Sequence, residues 1–139
     1  MSIQLLKFGF VTSTALIVAG CATTEKPSLR PVEYSMPAAA PGVYDISQVR
    51  PAPTPTRQVR PRYPLELRKA GIGGEGVVLF TVTTEGEVVD AMVVRATDVR
   101  FGEAALEAVL KWKFRPAELN GSVVNCRMMV PIMFEVSSE

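Results

Sequence analysis

The chain has 139 residues, of which 47% are hydrophobic and 21% charged, and this fits one small globular domain with additional segments. Its formal charge of +1 lacks the excess of lysine and arginine that nucleic-acid-binding proteins use against phosphate. The sequence has no histidine, the commonest general base and metal ligand, and only two isolated cysteines, so we expect no catalysis, no cofactor and no metal site.

The first twenty residues have the pattern of an export signal. Lys7 precedes a mainly apolar run at 8–20, which as a helix would span roughly 20 Å against a hydrocarbon core of ~30 Å. The run ends in Val-Ala-Gly-Cys at 18–21 and resembles the lipobox of bacterial lipoproteins. The resemblance implies cleavage before Cys21, lipid attachment to Cys21 and, with Ala22 next, sorting to the outer membrane. An uncleaved anchor, or an incidental cysteine after a signal peptide, is the alternative.

Residues 21–58 read as a tether rich in proline and alanine. Seven prolines between 27 and 55 remove backbone donors and fix φ, which predicts an extended chain without helix or central strand. Fully extended at ~3.1 Å per residue, it would reach roughly 115 Å. The stretch 42–49, Gly-Val-Tyr-Asp-Ile-Ser-Gln-Val, could instead be a short strand docked on the domain. Several arginines make the distal end basic, for solubility or for an acidic partner or anionic lipid.

Residues 59–139 have the periodicity of an α+β domain. A short helix begins at Tyr63-Pro64 and ends at Gly71. Two strands, 76–84 and 87–95, form a hairpin, and a helix over 102–113 ends before Pro116. A long strand over 123–136 returns beside the first strand. This predicts a two-layer domain with a three-stranded antiparallel sheet in the order 2-1-3 and both helices on one face.

Pro131 lies within the long last strand. Proline cannot donate a ladder hydrogen bond and is tolerated on edge strands with that position facing outward. A long apolar edge is an aggregation hazard unless a partner adds a strand there. The last strand is therefore a candidate peptide-binding edge.

Several motifs between 61 and 136 resemble the C-terminal domain of TonB-family proteins. They are Pro-Arg-Tyr-Pro at 61–64, Gly-Val-Val-Leu-Phe-Thr-Val at 76–82, Gly-Glu-Val-Val at 86–89, Trp-Lys-Phe-Arg-Pro at 112–116 and Val-Pro-Ile-Met-Phe at 130–134. In this family the domain is a periplasmic binding module. It pairs its last strand with the TonB box, a short extended segment of an outer-membrane receptor, in TonB-dependent transport.

The resemblance implies a set of partner contacts in the Tyr-Pro region and on the outer edge of the last strand. These are Arg60, Arg62, Tyr63, Val123, Asn125, Arg127 and Met129. Packing of the Tyr63 ring on the second helix is the alternative for that residue. Trp112 and Phe114 are expected in the core, and Cys126 as a buried small hydrophobe.

Two departures from the family pattern bear on these expectations. Phe101-Gly102 stands where the family often has Leu-Asp, which removes an acidic cap from the second helix. Energy-transducing members carry an N-terminal membrane helix with a histidine that couples to a motor, whereas this chain has no histidine. We therefore expect a lipid-anchored, periplasm-facing binding module. The alternative is a structural envelope lipoprotein that self-associates as a homodimer or contacts peptidoglycan without energy transduction.

Cys21→Ser is expected to release the protein from membranes, because it removes the sulfur to which the lipid would be attached. Fractionation of cells into soluble and membrane pools measures this. An unchanged membrane fraction would exclude a lipid on Cys21 as the anchor.

Overall fold

The computed structural model describes residues 26–137, and the predicted signal peptide and Cys21 lie outside these described residues. The elements are, in chain order, β1 (Val32–Glu33), β2 (Val43–Asp45), a 3-10 turn (Ile46–Gln48), β3 (Thr54–Arg57), α1 (Leu65–Lys69), β4 (Gly74–Val82), β5 (Val88–Ala96), α2 (Val99–Val109), β6 (Lys113–Arg115), β7 (Ala117–Leu119) and β8 (Ser122–Phe134).

The main sheet has the order β1-β5-β4-β8-β2, and β7 also pairs with β8. Its centre, β5-β4-β8, has the predicted order 2-1-3. The prediction of three strands is wrong, because short segments pair with the outer strands and satisfy backbone groups that would otherwise be unpaired. The sheet is also not wholly antiparallel, since β2 runs parallel to β8. A separate two-stranded sheet joins β3 and β6.

The hydrophobic core lies between α2 and one face of the sheet. Alternate residues of β4, Val78, Phe80 and Val82, are fully buried there, as the period of two requires. Leu67 brings α1 onto the same cluster, so both helices contribute to one core as predicted. Trp112 and Phe114 are also buried, which confirms their assignment, and the Trp112 indole N–H donates to the Val59 carbonyl at 2.8 Å.

Helix α2 begins earlier and ends earlier than the sequence predicted. It spans Val99–Val109 rather than 102–113, because Asp98 caps it by accepting from the Arg100 backbone N–H at 2.9 Å. The helix therefore has an acidic cap after all, and the expectation that it had lost one is wrong. Gly102 lies inside the helix, where a Cβ would stand 2.9 Å from a Val93 methyl carbon. Glycine there allows α2 to approach β5 closely.

Asp98 is fully buried and joins three parts of the chain. Its carboxylate accepts from the Arg100 guanidinium at 2.7 Å and from the Arg30 backbone N–H at 2.6 Å. Arg100 also reaches Glu66 of α1 at 2.8 Å and the Ser28 carbonyl at 3.2 Å. Hydrogen bonds from the Arg100 side chain hold the pKa of Asp98 well below its usual range, although burial opposes this.

Residues 28–57 lie along the domain, where the sequence predicted a free tether. β1 pairs with β5 at one edge of the sheet, and β2 pairs with β8 at the opposite edge. The connecting residues must therefore cross the sheet, and Pro37–Ala40 lie beside Leu79 and Met92 on the face away from the helices. We call residues 34–45 the strap. The short strand considered at 42–49 is present as β2, while the boundary at residue 59 stays a prediction.

The strap is fixed at both ends. At its first residue, Tyr34 donates its backbone N–H to the Val94 carbonyl at 2.7 Å. After it, Val49 is fully buried against Ala117 and Cys126. The Arg50 N–H donates to the Glu118 carbonyl at 2.8 Å. Prolines did not prevent this docking, because the paired stretches β1 and β2 contain none.

Asp98→Asn is expected to lower the free energy of unfolding by about 2–4 kcal/mol, because it leaves the Arg100 charge without its carboxylate. Since the folded-state pKa of Asp98 lies below its unfolded value, this stabilisation is complete above pH ~4 and is lost as the pH falls below it. Urea titrations between pH 3 and pH 7 measure both effects. Glu103→Gln, an exposed change on the same helix, is the control. Equal stability of the two variants at pH 7 would contradict the role given to Asp98.

Candidate functional site

The candidate site is built on β8, a strand of thirteen residues. Its alternate residues Cys126, Ile132 and Phe134 are buried against the core. Burial raises the pKa of the Cys126 thiol, as expected for an inert small hydrophobe. On one side β8 pairs with β4 in an unbroken antiparallel register, from Gly74 opposite Phe134 to Val82 opposite Cys126. This ladder fixes the position of the whole strand.

The remaining pairing of β8 is confined to its first half. β7 pairs with residues 122–124, and β2 pairs in parallel with residues 125–127. Within the described residues 26–137, residues 128–134 pair with β4 alone. We call the free side of residues 128–134 the open edge. The predicted edge position of the last strand therefore holds for its second half.

Pro131 indicates which backbone groups face the open edge. It lies opposite Val77 of β4, and its missing N–H costs no ladder hydrogen bond if that position points away from β4. Residues two apart in a strand point their N–H groups to the same side. The backbone N–H groups of Met129 and Met133 therefore point to the open edge. Pro131, between them, has a carbonyl that can accept a hydrogen bond but no N–H that can donate one.

The side chains along the open edge are apolar and exposed. Met129 is 51% exposed and Met133 is 61% exposed. Their neighbours on β4, Leu79 and Glu75, lie opposite them in register. Methionine is flexible and polarisable, and it adapts to partners of different shape. An extended segment with apolar side chains fits this surface.

Three of the four sequence-predicted contacts on β8 already have partners within the chain. Val123 lies opposite Glu118 of β7. The Asn125 side-chain oxygen accepts from the Thr84 backbone N–H at 3.1 Å, which holds the turn after β4. Arg127 binds the strap, as described below. Only Met129 lies on the open edge itself.

Arg127 holds the strap through two different contacts. Its guanidinium donates to the Asp45 carboxylate at 3.0 and 3.2 Å, and to the Pro37 carbonyl at 2.8 Å. The Arg127 side chain is only 17% exposed, whereas the Asp45 side chain is 51% exposed. We call these contacts the latch. They connect Pro37 and Asp45, two residues of the strap, to one residue of β8.

Of the predicted contacts in the Tyr-Pro region, Tyr63 lies at the end of β8. The Tyr63 ring packs edge-on against Phe101 of α2 and Phe134 of β8, with centroid distances of 5.8 and 5.6 Å. Its hydroxyl donates to the Ile72 carbonyl at 2.7 Å, and burial raises its pKa. The packing alternative for Tyr63 is therefore what the structure shows, and a partner contact remains a prediction. Arg60 and Arg62 are exposed.

The structure thus separates the predicted contacts on β8, at residues 123–129, from Tyr63, which lies beside the last residue of the strand. Tyr63 lies beside Phe134, and Arg127 is seven residues earlier on the strand. At ~3.3 Å per residue, about 23 Å separates these two positions. The open edge joins them, so one extended peptide would be long enough to reach both positions.

The strap residues Pro37 and Asp45 are the functional candidates that the sequence analysis missed. The stretch at 42–49 was the signal in the sequence for a docked segment. Nothing local indicated that Asp45 binds Arg127, which lies 82 residues later in the chain. In the described part of the chain, no cluster of three or more acidic or cysteine side chains is arranged to hold a metal ion. Residues 26–137 also contain no helix with the length and hydropathy needed to cross a bilayer.

Comparison with known proteins gives matches over the same folded region. Residues 59–136 match the family model described as Gram-negative bacterial TonB protein C-terminal. The protein TonB of Xanthomonas campestris pv. campestris (strain B100) is 32% identical over 78 residues, 55% of this chain and 35% of that protein. The protein TonB of Vibrio cholerae serotype O1 is 35% identical over 82 residues, 57% of this chain and 33% of that protein. The chain thus spans about a third of the length of these relatives.

A solved structure agrees with the fold. The solution NMR structure of the Pseudomonas aeruginosa TonB CTD aligns with a TM-score of 0.53 and 28% identity, covering 63% of this chain and 89% of that one. The family match begins at residue 59, so the strap lies outside it. With more than half of its residues matched by the family model, this chain belongs to the TonB C-terminal domain family.

Proposed function

We propose that this chain is a TonB-like binding module in TonB-dependent transport, which takes up an extended segment of an outer-membrane receptor by strand addition to β8. The observation that carries the proposal is the open edge, seven residues that have a strand partner on one side only within residues 26–137. A guest strand there would accept from the Met129 and Met133 N–H groups. In strand addition, main-chain hydrogen bonds supply affinity and alternate side chains supply specificity.

The exposed methionines favour a guest segment with apolar side chains, as proposed for the receptor, over a strongly acidic or basic peptide. Met129 and Met133 flank Pro131 on the open edge, so the guest side chains beside them would be apolar. Arg60 and Arg62, exposed before the Tyr-Pro motif, would add contacts outside the strand. Such rim charges mainly change the association rate and its salt dependence.

The docked tether also bears on where the domain acts. Among the described residues, which start at residue 26, Ser28 is the first whose backbone binds the domain, through the Arg100 guanidinium. If Cys21 carries the lipid, the seven residue-to-residue steps from Cys21 to Ser28 span at most about 25 Å. The proposed anchor would therefore keep the domain close to one membrane, which suits a partner embedded in that membrane. A free tether of the predicted length would allow a far wider search.

A photoreactive residue at position 133 is expected to crosslink the full-length protein in cells to a TonB-dependent outer-membrane receptor. Position 110, directly after the end of α2, is the matched control, because Leu110 is 53% exposed, similar to Met133 at 61%, but lies outside the sheet. Immunoblotting and mass spectrometry of the crosslinked species measure this. Products of the same kind from both positions, or a product containing two copies of this chain alone, would contradict the proposal, and the second result would favour the self-associating structural protein.

Met129→Pro is expected to lower the crosslinking yield from position 133 by about tenfold, because it removes one outward backbone donor from the open edge. Met129→Ala keeps that donor and is expected to retain the yield within about twofold, since only an exposed side chain is lost. Equal yields from the two variants would show that the backbone of β8 is not the binding element.

A further inference from the structure

The strap lies where a longer guest strand would have to pair. β2 occupies the side of residues 125–127 that faces away from β4, directly next to the open edge. A guest that pairs with residues 128–134 and continues towards the start of β8 therefore meets β2. We propose that the strap is an internal competitor for the receptor segment, and that opening of the latch extends the binding edge from residues 128–134 to residues 125–134. This inference rests on the proposed function.

The composition of the strap makes it easy to displace. Residues 38–42 are Ala-Ala-Ala-Pro-Gly, and all of them are exposed. Small side chains remove little apolar area from water, so the segment that crosses the sheet contributes little to its own docking. What holds it is the Tyr34 hydrogen bond to Val94, the three-residue pairing of β2, the packing of Tyr44 against the cluster around Cys126, and the latch.

The flanking contacts allow the strap to open without loss of the fold. Before the strap, the Arg30 N–H binds the buried Asp98 carboxylate, and Val32 pairs with Ala96. After the strap, Val49 is fully buried and the Glu118 N–H donates to the Pro51 carbonyl at 3.2 Å. These contacts lie outside residues 34–45. Release of the strap would therefore lengthen a loop between two fixed points.

The position of Arg127 on β8 explains why this residue forms the latch. It is the last residue of β8 that pairs with β2, and it stands between the occupied and the open parts of the edge. Its guanidinium is largely buried beneath the strap. Displacement of β2 would expose this cation together with the outward backbone of residues 125–127. A guest strand would then find a longer edge that ends in a positive charge.

The test compares four forms of the full-length protein in detergent micelles. They are the wild type, Asp45→Asn, a variant with residues 37–45 replaced by nine Gly/Ser residues, and the control Glu33→Gln. Glu33 is an exposed acid of the same segment at the opposite sheet edge. Two probes are titrated by NMR: a synthetic peptide carrying the TonB box of a receptor, and a synthetic peptide with the sequence of residues 42–48.

The receptor peptide is expected to shift only residues 128–134 in the wild type and in Glu33→Gln. In the Gly/Ser variant the shifts extend to residues 125–127 and the Kd falls about tenfold, since the internal competitor acts at a high effective concentration. Asp45→Asn gives a fall of about two- to fivefold, because it weakens one partly exposed ion pair. The 42–48 peptide shifts residues 125–127 of the Gly/Ser variant and leaves the wild type unchanged.

The two proposals fail in different ways. Binding of the receptor peptide to all four forms with the same Kd and the same shifts would overturn the strap as competitor and leave strand addition intact. Absence of receptor-peptide binding from every form would overturn both. Failure of the 42–48 peptide to shift the Gly/Ser variant would show that residues 125–127 do not accept a strand in place of β2, whatever the receptor peptide does.

Discussion

The nine-residue ladder between β4 and β8 is the constraint on which the rest of the structure depends. It fixes which β8 side chains enter the core and which backbone groups face outward. α2 packs over β4 and β5, and the aromatic side chains of α2 and β8 meet there, with Phe101 and Phe134 ring centroids 4.8 Å apart. Pro131 can stand in the middle of the strand without loss of a ladder hydrogen bond to β4, because the position of its missing N–H faces the open edge.

The central part of this fold could be read from the sequence, because its signals are local. A period of two identifies β4, β5 and β8, and Asn120-Gly121 marks the turn before the last strand, with both residues at positive φ. The core roles of Trp112 and Phe114 follow from their position between a helix and a strand. The start of α2 was misplaced because Asp98 becomes a buried cap only through its hydrogen bonds with Arg100 and Arg30, which no local pattern indicates.

The docked tether could not be predicted from local pattern. Its strands are two to four residues long, too short to produce a periodicity, and their partners lie far along the chain. Proline content argued for an extended chain, which is correct for the backbone of such segments but does not distinguish a free chain from one that lies on a sheet edge. The contacts within the candidate site could not be predicted from local pattern for the same reason. Sequence placed Asn125 and Arg127 on an outer edge, but only three-dimensional pairing reveals that the chain itself occupies it.

In the proposals made here, β2 of the strap and a guest strand from a receptor compete for the same side of β8. Strand edges that stay open invite aggregation, and natural proteins cover them with short segments, charges or proline. Here β2 covers one part of β8, Pro131 interrupts the donors of the other part, and the open edge remains just long enough for a short guest. Hydrogen exchange at the Met129 and Met133 amides tests this account most directly. The account predicts fast exchange in the full-length protein alone and slowing by at least about tenfold when a receptor peptide carrying the TonB box is bound. Slow exchange at both amides in the protein alone would mean that the edge is already covered, and would contradict it.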